Sequence, residues 1–419
     1  MTESKKENPD FKCVVAIDVG TSGSGACICF QNDSDKFYSV IPGKHQVAKI
    51  KTCFILDRET KELVAFGDAA WEKYGNQPGK YFFFKQFKMQ LYRANRILRD
   101  NPMVTSVCGG CQITAAAAFG FVFQQFRQWT EKLLTNFPMF KMDDIAWMIT
   151  VPAIWSEGAK QIMMSAAAKG GIPNAENRLF VCLEPTAGSL WAQRIIARNS
   201  ANLEGTVCLT VDAGGGTIDT MLYKITGKNS LEKICSESGG NWGSTFIDEE
   251  FEQMLEQFFG QQIRIFRKER PAEYEQIMKE FEKRKEQFDP REEEDSNILL
   301  YSFVRFLDKA RIDINDLISE HDDSTTGLRY EADALVIPPN IFARLFQKQI
   351  DYVIKHLKQT VSDHKTQVRY INMVGGFSTS EMLLQAVKKE FEIPEQLTVI
   401  LPPHAGEAIV CGAAWSVCV

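Results

Sequence analysis

Two segments almost two hundred residues apart repeat one pattern: an apolar run, then Asp-x-Gly, then small hydroxyl or glycine residues. The first is Val14-Val15-Ala16-Ile17-Asp18-Val19-Gly20-Thr21-Ser22-Gly23-Ser24-Gly25. The second is Val207-Cys208-Leu209-Thr210-Val211-Asp212-Ala213-Gly214-Gly215-Gly216-Thr217-Ile218-Asp219. A buried strand running into a glycine turn brings backbone N–H groups close to a phosphate, because no Cβ blocks the approach. An Asp at the strand end adds a carboxylate where a hydrated metal on that phosphate would sit. One copy alone reads equally well as a strand and a tight turn. A second copy with three consecutive glycines is harder to explain by packing, since such a run contributes no side chain. Two copies suggest two related lobes gripping one nucleotide from opposite sides.

The whole chain allows this. At 419 residues it is long enough for two or more cores, since single cores rarely exceed about 250–300 residues. Apolar content of 44% and charged content of 24% are those of a globular protein. A net charge of −6 argues against a nucleic-acid partner. No apolar run approaches the roughly 18 residues of a membrane span, and the N-terminus lacks a signal-peptide core. Residues 1–12 read as a disordered tail. The eleven cysteines are odd in number and scattered through apolar runs, as reduced core residues of a cytoplasmic protein are. Cys108-Gly109-Gly110-Cys111 is the one C-x-x-C; two loop cysteines and a redox or metal pair both fit it.

Strand and helix patterns alternate through both halves, which indicates an α/β fold. Residues 13–30 and 37–56 read as strands, and the charged, aromatic text from Thr60 to Asp100 as an insertion. Gln112 to Phe137 reads as a helix stopped by Pro138, followed by a strand at 145–151 and a helix from Ser156 to Lys169. Leu179 to Leu183 is a strand that delivers Glu184 to the next helix. Further helices are expected at 246–262, 341–357 and 381–391, with a strand at 370–374. Arg264 to Asn297 carries both charge signs, and Glu292-Glu293-Glu294-Asp295 within it reads as solvated surface. Neither G-x-x-x-x-G-K-[ST] nor G-x-G-x-x-G occurs, so the P-loop and dinucleotide folds have little support.

These residues resemble the nucleotide-binding domain of the seventy-kilodalton heat-shock protein family, within the actin and sugar-kinase superfamily. The matching segments are Ala16 to Thr21, Ile149 to Ala153, Leu183 to Ala187, Asp212 to Asp219, Met373 to Gly376 and Gly406 to Ala414, in the family's order. The wording around Leu183 and Val374 looks closest to that family's divergent twelfth-member type (12A and 12B). The resemblance implies an actin-like ATPase fold of two lobes, each on a ribonuclease-H-like sheet, with inserted subdomains. Lobe I would span 13–200 with an insertion at about 57–111. Lobe II would span 201–419 with an insertion at about 239–330, and a C-terminal helix at about 405–419 would return towards lobe I.

The family's roles carry over to matching positions. Asp18 and Asp212 would hold water on a Mg²⁺ bridging the phosphates. Gly20, Thr21, Ser22 and Gly23 would cradle the β-phosphate, and Gly214, Gly215, Gly216 and Thr217 the γ-phosphate. Glu184 would order the metal's water shell, and Asp219, or Glu184 through a water, would accept the proton of the attacking water. A family lysine near the γ-phosphate corresponds to Lys88, with Lys85 as the alternative. Gly375 and Gly376 would approach the ribose or purine. Glu282 and Lys285 have the spacing of the family's base clamp, which is also that of an ordinary surface ion pair. The implied cofactors are ATP or ADP with Mg²⁺ and K⁺. Phe377, Trp155 and Asn241-Trp242-Gly243-Ser244 depart from the family's wording, which puts base selectivity and turnover in question.

The family's acidic linker, peptide-binding domain and lid have no recognisable counterpart in the 419 residues. The expected function is a Mg-dependent ATPase acting as a chaperone-like or regulatory switch, with client or regulatory proteins as partners. A non-hydrolysing nucleotide-responsive scaffold is the alternative. A sugar kinase or a filament on the same fold has less support, since fold alone does not set function.

Overall fold

The computed structural model describes residues 11–95, 102–173, 178–197, 203–227, 230–321, 327–364, 368–392 and 397–418. Of the expected tail, residues 1–10 lie outside the described residues. Phe11 is buried, edge-on to Phe180 with ring centroids 6.4 Å apart.

The chain begins with strands β1 (Cys13–Val19), β2 (Gly23–Phe30), β3 (Asp33–Ser39) and β4 (Lys49–Lys51). An insertion follows: β5 (Cys53–Asp57), β6 (Leu63–Phe66), α1 (Asp68–Asn76), β7 (Tyr81–Lys85), α2 (Phe87–Asn95) and the hairpin β8 (Met103–Thr105) to β9 (Gln112–Thr114). Then come α3 (Ala115–Leu134), β10 (Ile145–Val151), α4 (Glu157–Lys169), β11 (Leu179–Leu183) and α5 (Glu184–Ala197). The second half opens with β12 (Val207–Ala213), β13 (Ile218–Gly227), β14 (Ser230–Lys233) and β15 (Ser238–Gly240). It continues with α6 (Thr245–Glu269), α7 (Pro271–Gln287), β16 (Ser296–Leu299), α8 (Tyr301–Lys309), α9 (Ile314–His321), β17 (Arg329–Glu331) and β18 (Ala334–Ile337). The chain closes with α10 (Pro339–Asp363), β19 (Val368–Val374), α11 (Glu381–Phe391), β20 (Thr398–Ile400) and α12 (Ala408–Cys418).

Two mixed sheets repeat one pairing plan. The first has the order β11-β10-β1-β2-β3 with β4 also on β2; the second has β14-β13-β12-β19-β20 with β15 on β13. In each, the strand carrying the Asp is antiparallel to its successor and parallel to a later strand (β1 with β10, β12 with β19). Every residue of β1 and β12 is buried, as in strands covered on both faces. The period of two sorts the side chains of β1: Cys13, Val15, Ile17 and Val19 pack with α3 and α4, while Val14 and Ala16 pack with α5 and α12. Helix α5 lies between the sheets. It shares one apolar cluster with β1 and α12 through Trp191, and another with β12 and β13 through Ile196. Among the described residues no helix is long and apolar enough to cross a membrane.

Several elements differ from the sequence expectation for local reasons. The helix expected from Gln112 starts at Ala115, because Gln112 to Thr114 pair with β8 and the Thr114 hydroxyl accepts the Ala117 N–H. The helix expected at 246–262 runs to Glu269, bent at Gly260 (φ 57°). The charged stretch from Arg264 contains α7, whose Tyr274, Ile277, Met278 and Phe281 are buried at helical spacing. Glu292 to Asp295 are exposed, as expected.

Helix α7 is pinned to α6 by Phe281, which stacks on Phe251 with centroids 3.9 Å apart and planes 3° from parallel. Truncating a fully buried Phe typically removes about 3–5 kcal/mol. Phe251→Ala is expected to lower unfolding free energy by that order in denaturant titration. A change under about 1 kcal/mol would mean the stack does not hold α7 in place.

Candidate functional site

A cavity of about 780 Å³ opens where the two sheets present the ends of β1 and β12. Its walls include Asp18, Gly20, Thr21, Ser22, Gly23, Lys88 and Glu184 from the first half, and Asp212, Gly214, Gly215, Gly216 and Thr217 from the second. Glu282, Lys285, Gly375 and Gly376 also line it. Asp219 is not on the wall. It is fully buried behind it, accepting the Thr217 hydroxyl at 2.8 Å, and its Oδ1 has no hydrogen-bond partner.

The second glycine turn is held by its carbonyls. Thr245 N–H donates to Gly215 O at 2.8 Å, Ser244 N–H to Gly214 O at 3.2 Å and Gly243 N–H to Gly216 O at 3.3 Å. The start of α6 thus takes up the oxygens, while no bond from the Gly215 or Gly216 amide is seen among the described residues. A Cβ on Gly215 would collide with Ser22, and one on Gly216 with Thr21 and Met89, so the two turns face each other at backbone range. Gly375 adopts φ 87°, and a Cβ there would lie 2.5 Å from Asp212 Oδ1.

Four carboxylates and two ammonium groups meet at the strand ends. Asp18, Glu184, Asp212 and Asp219 are 2%, 6%, 5% and 0% exposed. Lys49 Nζ lies 2.8 Å from Asp18 Oδ2, and the Thr150 hydroxyl donates to Asp18 Oδ1 at 2.7 Å. Lys88 Nζ lies 2.7 Å from Glu184 Oε1, with Trp155 against its other side at 5.7 Å. Burial opposes ionisation of Asp18, but Lys49 and Lys88 outweigh it and hold this carboxyl below its ordinary range. Burial, only partly offset by Lys88, pushes Glu184 up to about 7. Burial pushes Asp219 to about 6 against the Thr217 hydrogen bond. Burial, Glu184 and Asp219 together raise Asp212 well above its ordinary value.

The alternative lysine, Lys85, turns elsewhere. It pairs with Glu275 at 2.5 Å and lines a separate cavity of about 380 Å³. The suggested surface ion pair of Glu282 with Lys285 does not form. Glu282 pairs with Lys51 at 2.8 Å, while buried Lys285 binds Asp248 at 2.5 Å and the Ser244 carbonyl at 3.0 Å. Sequence reasoning passed over Lys49 and Lys51, whose signal is their alternation on a short strand: i and i+2 point to one side.

The site's fit to a divalent cation rests on its donors. Four buried carboxyls face only two ammonium groups, so burial drives three of them toward the neutral form, and a further cation would favour their ionisation. Among the described residues no group of three or more His, Cys, Asp or Glu side chains is set to ligate a metal directly. A Mg²⁺ here would be held through its waters and a phosphate, which is how this reluctantly dehydrated ion is usually bound.

A family model described as "Domain of unknown function (DUF8340)" matches residues 202–401. The chain is 27% identical to heat shock 70 kDa protein 12A of Homo sapiens over 478 aligned positions, covering 97% of this chain and 69% of that protein. The Mus musculus protein of the same name gives the same identity and coverage. Heat shock 70 kDa protein 12B of Homo sapiens is 26% identical, covering 97% of this chain and 68% of that protein. The resemblance drawn from six short motifs therefore extends over nearly the whole chain.

Raised carboxyl pKa values make a pH prediction. A group held above its unfolded value stabilises the fold below that value, and the contribution is lost as pH rises through the folded pKa. For Glu184 the window runs from 4.5 to about 7. The ligand-free protein is expected to lose melting temperature between about pH 4.5 and about pH 7, and Glu184→Gln to flatten that slope. Equal slopes in the two proteins would exclude Glu184 as the titrating group.

Proposed function

We propose that this homologue of heat shock 70 kDa proteins 12A and 12B binds ATP between two lobes, hydrolyses it slowly, and works as a nucleotide switch. The observation that carries the reading is the facing pair of glycine turns over the buried carboxylates and Lys88, all in one cavity except Asp219 directly behind it. In this reading the fold is actin-like, with ribonuclease-H-like lobes at 13–200 and 201–419 and insertions at about 57–111 and 239–330. The repeated strand plan supports it, as does the packing of α12 on β1, β2 and α5.

The first turn (Gly20 to Gly23) and the amides of Gly215 and Gly216 cradle the phosphates, which are attracted to N–H groups left without partners. Lys88 neutralises charge on the transferring phosphoryl oxygens, where positioning and electrostatics supply most of the catalysis. Glu184, at about 7, is matched to proton transfer near neutrality. Asp219, buried behind the wall, accepts the Thr217 hydroxyl at Oδ2, so the proton of the attacking water reaches it by relay through that hydroxyl, which lines the cavity. Asp212 would hold a hydrated Mg²⁺, which when bound supplies charge neutralisation for the β- and γ-phosphates; Asp18 on the facing strand end is engaged by Lys49 and Thr150. Closing on the γ-phosphate and reopening after hydrolysis gives two states for a client or regulatory protein to read. Eleven free cysteines, most of them buried, suit a reducing compartment such as the cytoplasm.

The base end supports a second reading, a scaffold that senses nucleotide without turning it over. Glu282 and Lys285 are already engaged by Lys51 and Asp248, and Phe377 stands beside Gly376 on the cavity wall.

Calorimetry with ATP and single-turnover hydrolysis on wild type and two variants separates these readings. Asp212→Asn is expected to slow Mg-dependent hydrolysis by about 10²-fold or more. Asp219→Asn is expected to keep affinity within about threefold and slow hydrolysis by about 10²-fold or more. Tight binding with no turnover in wild type favours the scaffold; an unchanged rate in Asp212→Asn overturns the site assignment.

A further inference from the structure

Lys49 enters the cavity from β4, a three-residue strand that hangs on β2 with Gly25 opposite Lys49 and Gly23 opposite Lys51. Its stem lies along this bare glycine strand: a Cβ built on Gly25 would sit 3.2 Å from Lys49 Cγ, and one on Gly23 would sit 3.4 Å from Lys49 Cβ. The stem therefore aims the ammonium at the end of β1, directly above the first glycine turn. There Nζ meets Asp18 Oδ2 at 2.8 Å, with the lysine side chain 21% exposed and that of Asp18 3%.

Asp18 is consequently engaged at both oxygens, one by Lys49 and one by Thr150. Asp212 has no ion-pair partner among the described residues. The two strand-end aspartates, alike in sequence, differ in this respect. Among the described residues Lys88 makes no ion pair with Asp18; its ammonium is bonded to Glu184. Asp212 and Glu184 also attract the Lys49 ammonium, so it sits within the field of three carboxylates. An ammonium has three N–H donors. One reaches Asp18, and the others are left for oxygen atoms arriving over the glycine turn.

We infer that Lys49 is a tethered cation that bridges Asp18 to the phosphates in the manner of a hydrated metal, so that nucleotide binding to this chain does not require a divalent ion. The inference rests on the cavity being a nucleotide site. It confines Mg²⁺ to the Asp212 side and to turnover. A fixed lysine differs from a diffusible ion in one respect: chelation does not remove it.

The test is the affinity of ADP and ATP for the full chain by calorimetry, in Mg²⁺ and in excess EDTA, for wild type, Lys49→Met and Lys49→Arg. Wild type is expected to change by less than about threefold on chelation. Lys49→Met is expected to weaken by about tenfold or more in EDTA and to recover most of that loss in Mg²⁺. Lys49→Arg keeps the charge and is expected to behave as wild type. A wild-type loss of about tenfold or more on chelation overturns the inference, and needs no variant to fold. Equal weakening of Lys49→Met with and without Mg²⁺ also overturns it, since an ordinary phosphate contact does not exchange with metal. Absence of nucleotide binding by folded wild type in either condition removes the reading of the site itself, whereas metal-dependent binding removes only the role given to Lys49.

Discussion

Like charges do not gather in a buried place unless something holds them there, and the strand ends of this protein gather four carboxylates. Burial raises three of them and leaves Asp18 low, because Lys49 and Lys88 stand among them. The arrangement depends on elements far apart in the chain. β1, β12 and β13 supply the aspartates, the start of α5 supplies Glu184, β4 supplies Lys49 and α2 supplies Lys88. Removing one member of such a group leaves another buried charge without compensation, which costs more than a surface contact. The two sheets, the middle helix α5 and the glycine turns together bring these groups to one point.

What could be read from the sequence was whatever chemistry is local. β1 and β12 announce themselves by apolar runs that end in Asp-x-Gly, and the covered sheet faces explain why those runs are unbroken. Glu184 was legible because a short strand delivers it to a helix start. Helix α7 was hidden by its charges: Glu, Lys and Arg fill its exposed positions, and only the spacing of Tyr274, Ile277, Met278 and Phe281 betrays a buried side. Lys49 and Lys51 were hidden more deeply, since their partners lie 31 residues back at Asp18 and 231 residues on at Glu282. Choosing between Lys85 and Lys88 needed coordinates. The first ends β7 and the second opens α2, with Gln86 at φ 52° turning the chain between them. That single turn sends two lysines three residues apart into different cavities.

The base end shows the opposite relation between pattern and partners. Spacing marked Glu282 and Lys285 as a couple, and each is coupled, but to a different side chain. Lys285 ties α7 to the start of α6 through Asp248 and Ser244, where α6 also receives the second glycine turn. Glu282 ties α7 to β4 in the other half, with Glu286 joining at 3.1 Å. Spacing on a helix shows which residues share a side; it does not show what that side faces.

Helix α7 is fastened to the first half at two places of different character. Its charged side reaches Lys51 on the cavity wall, and its first turn places Ala272 in the aromatic cluster of Trp71 and Tyr74 from α1 and Phe83 from β7. Salt weakens the first attachment and leaves the second largely untouched. The hold of α7 on the first half is therefore of two kinds, and raising ionic strength acts on Lys51 and Glu282 while Ala272 stays among those rings.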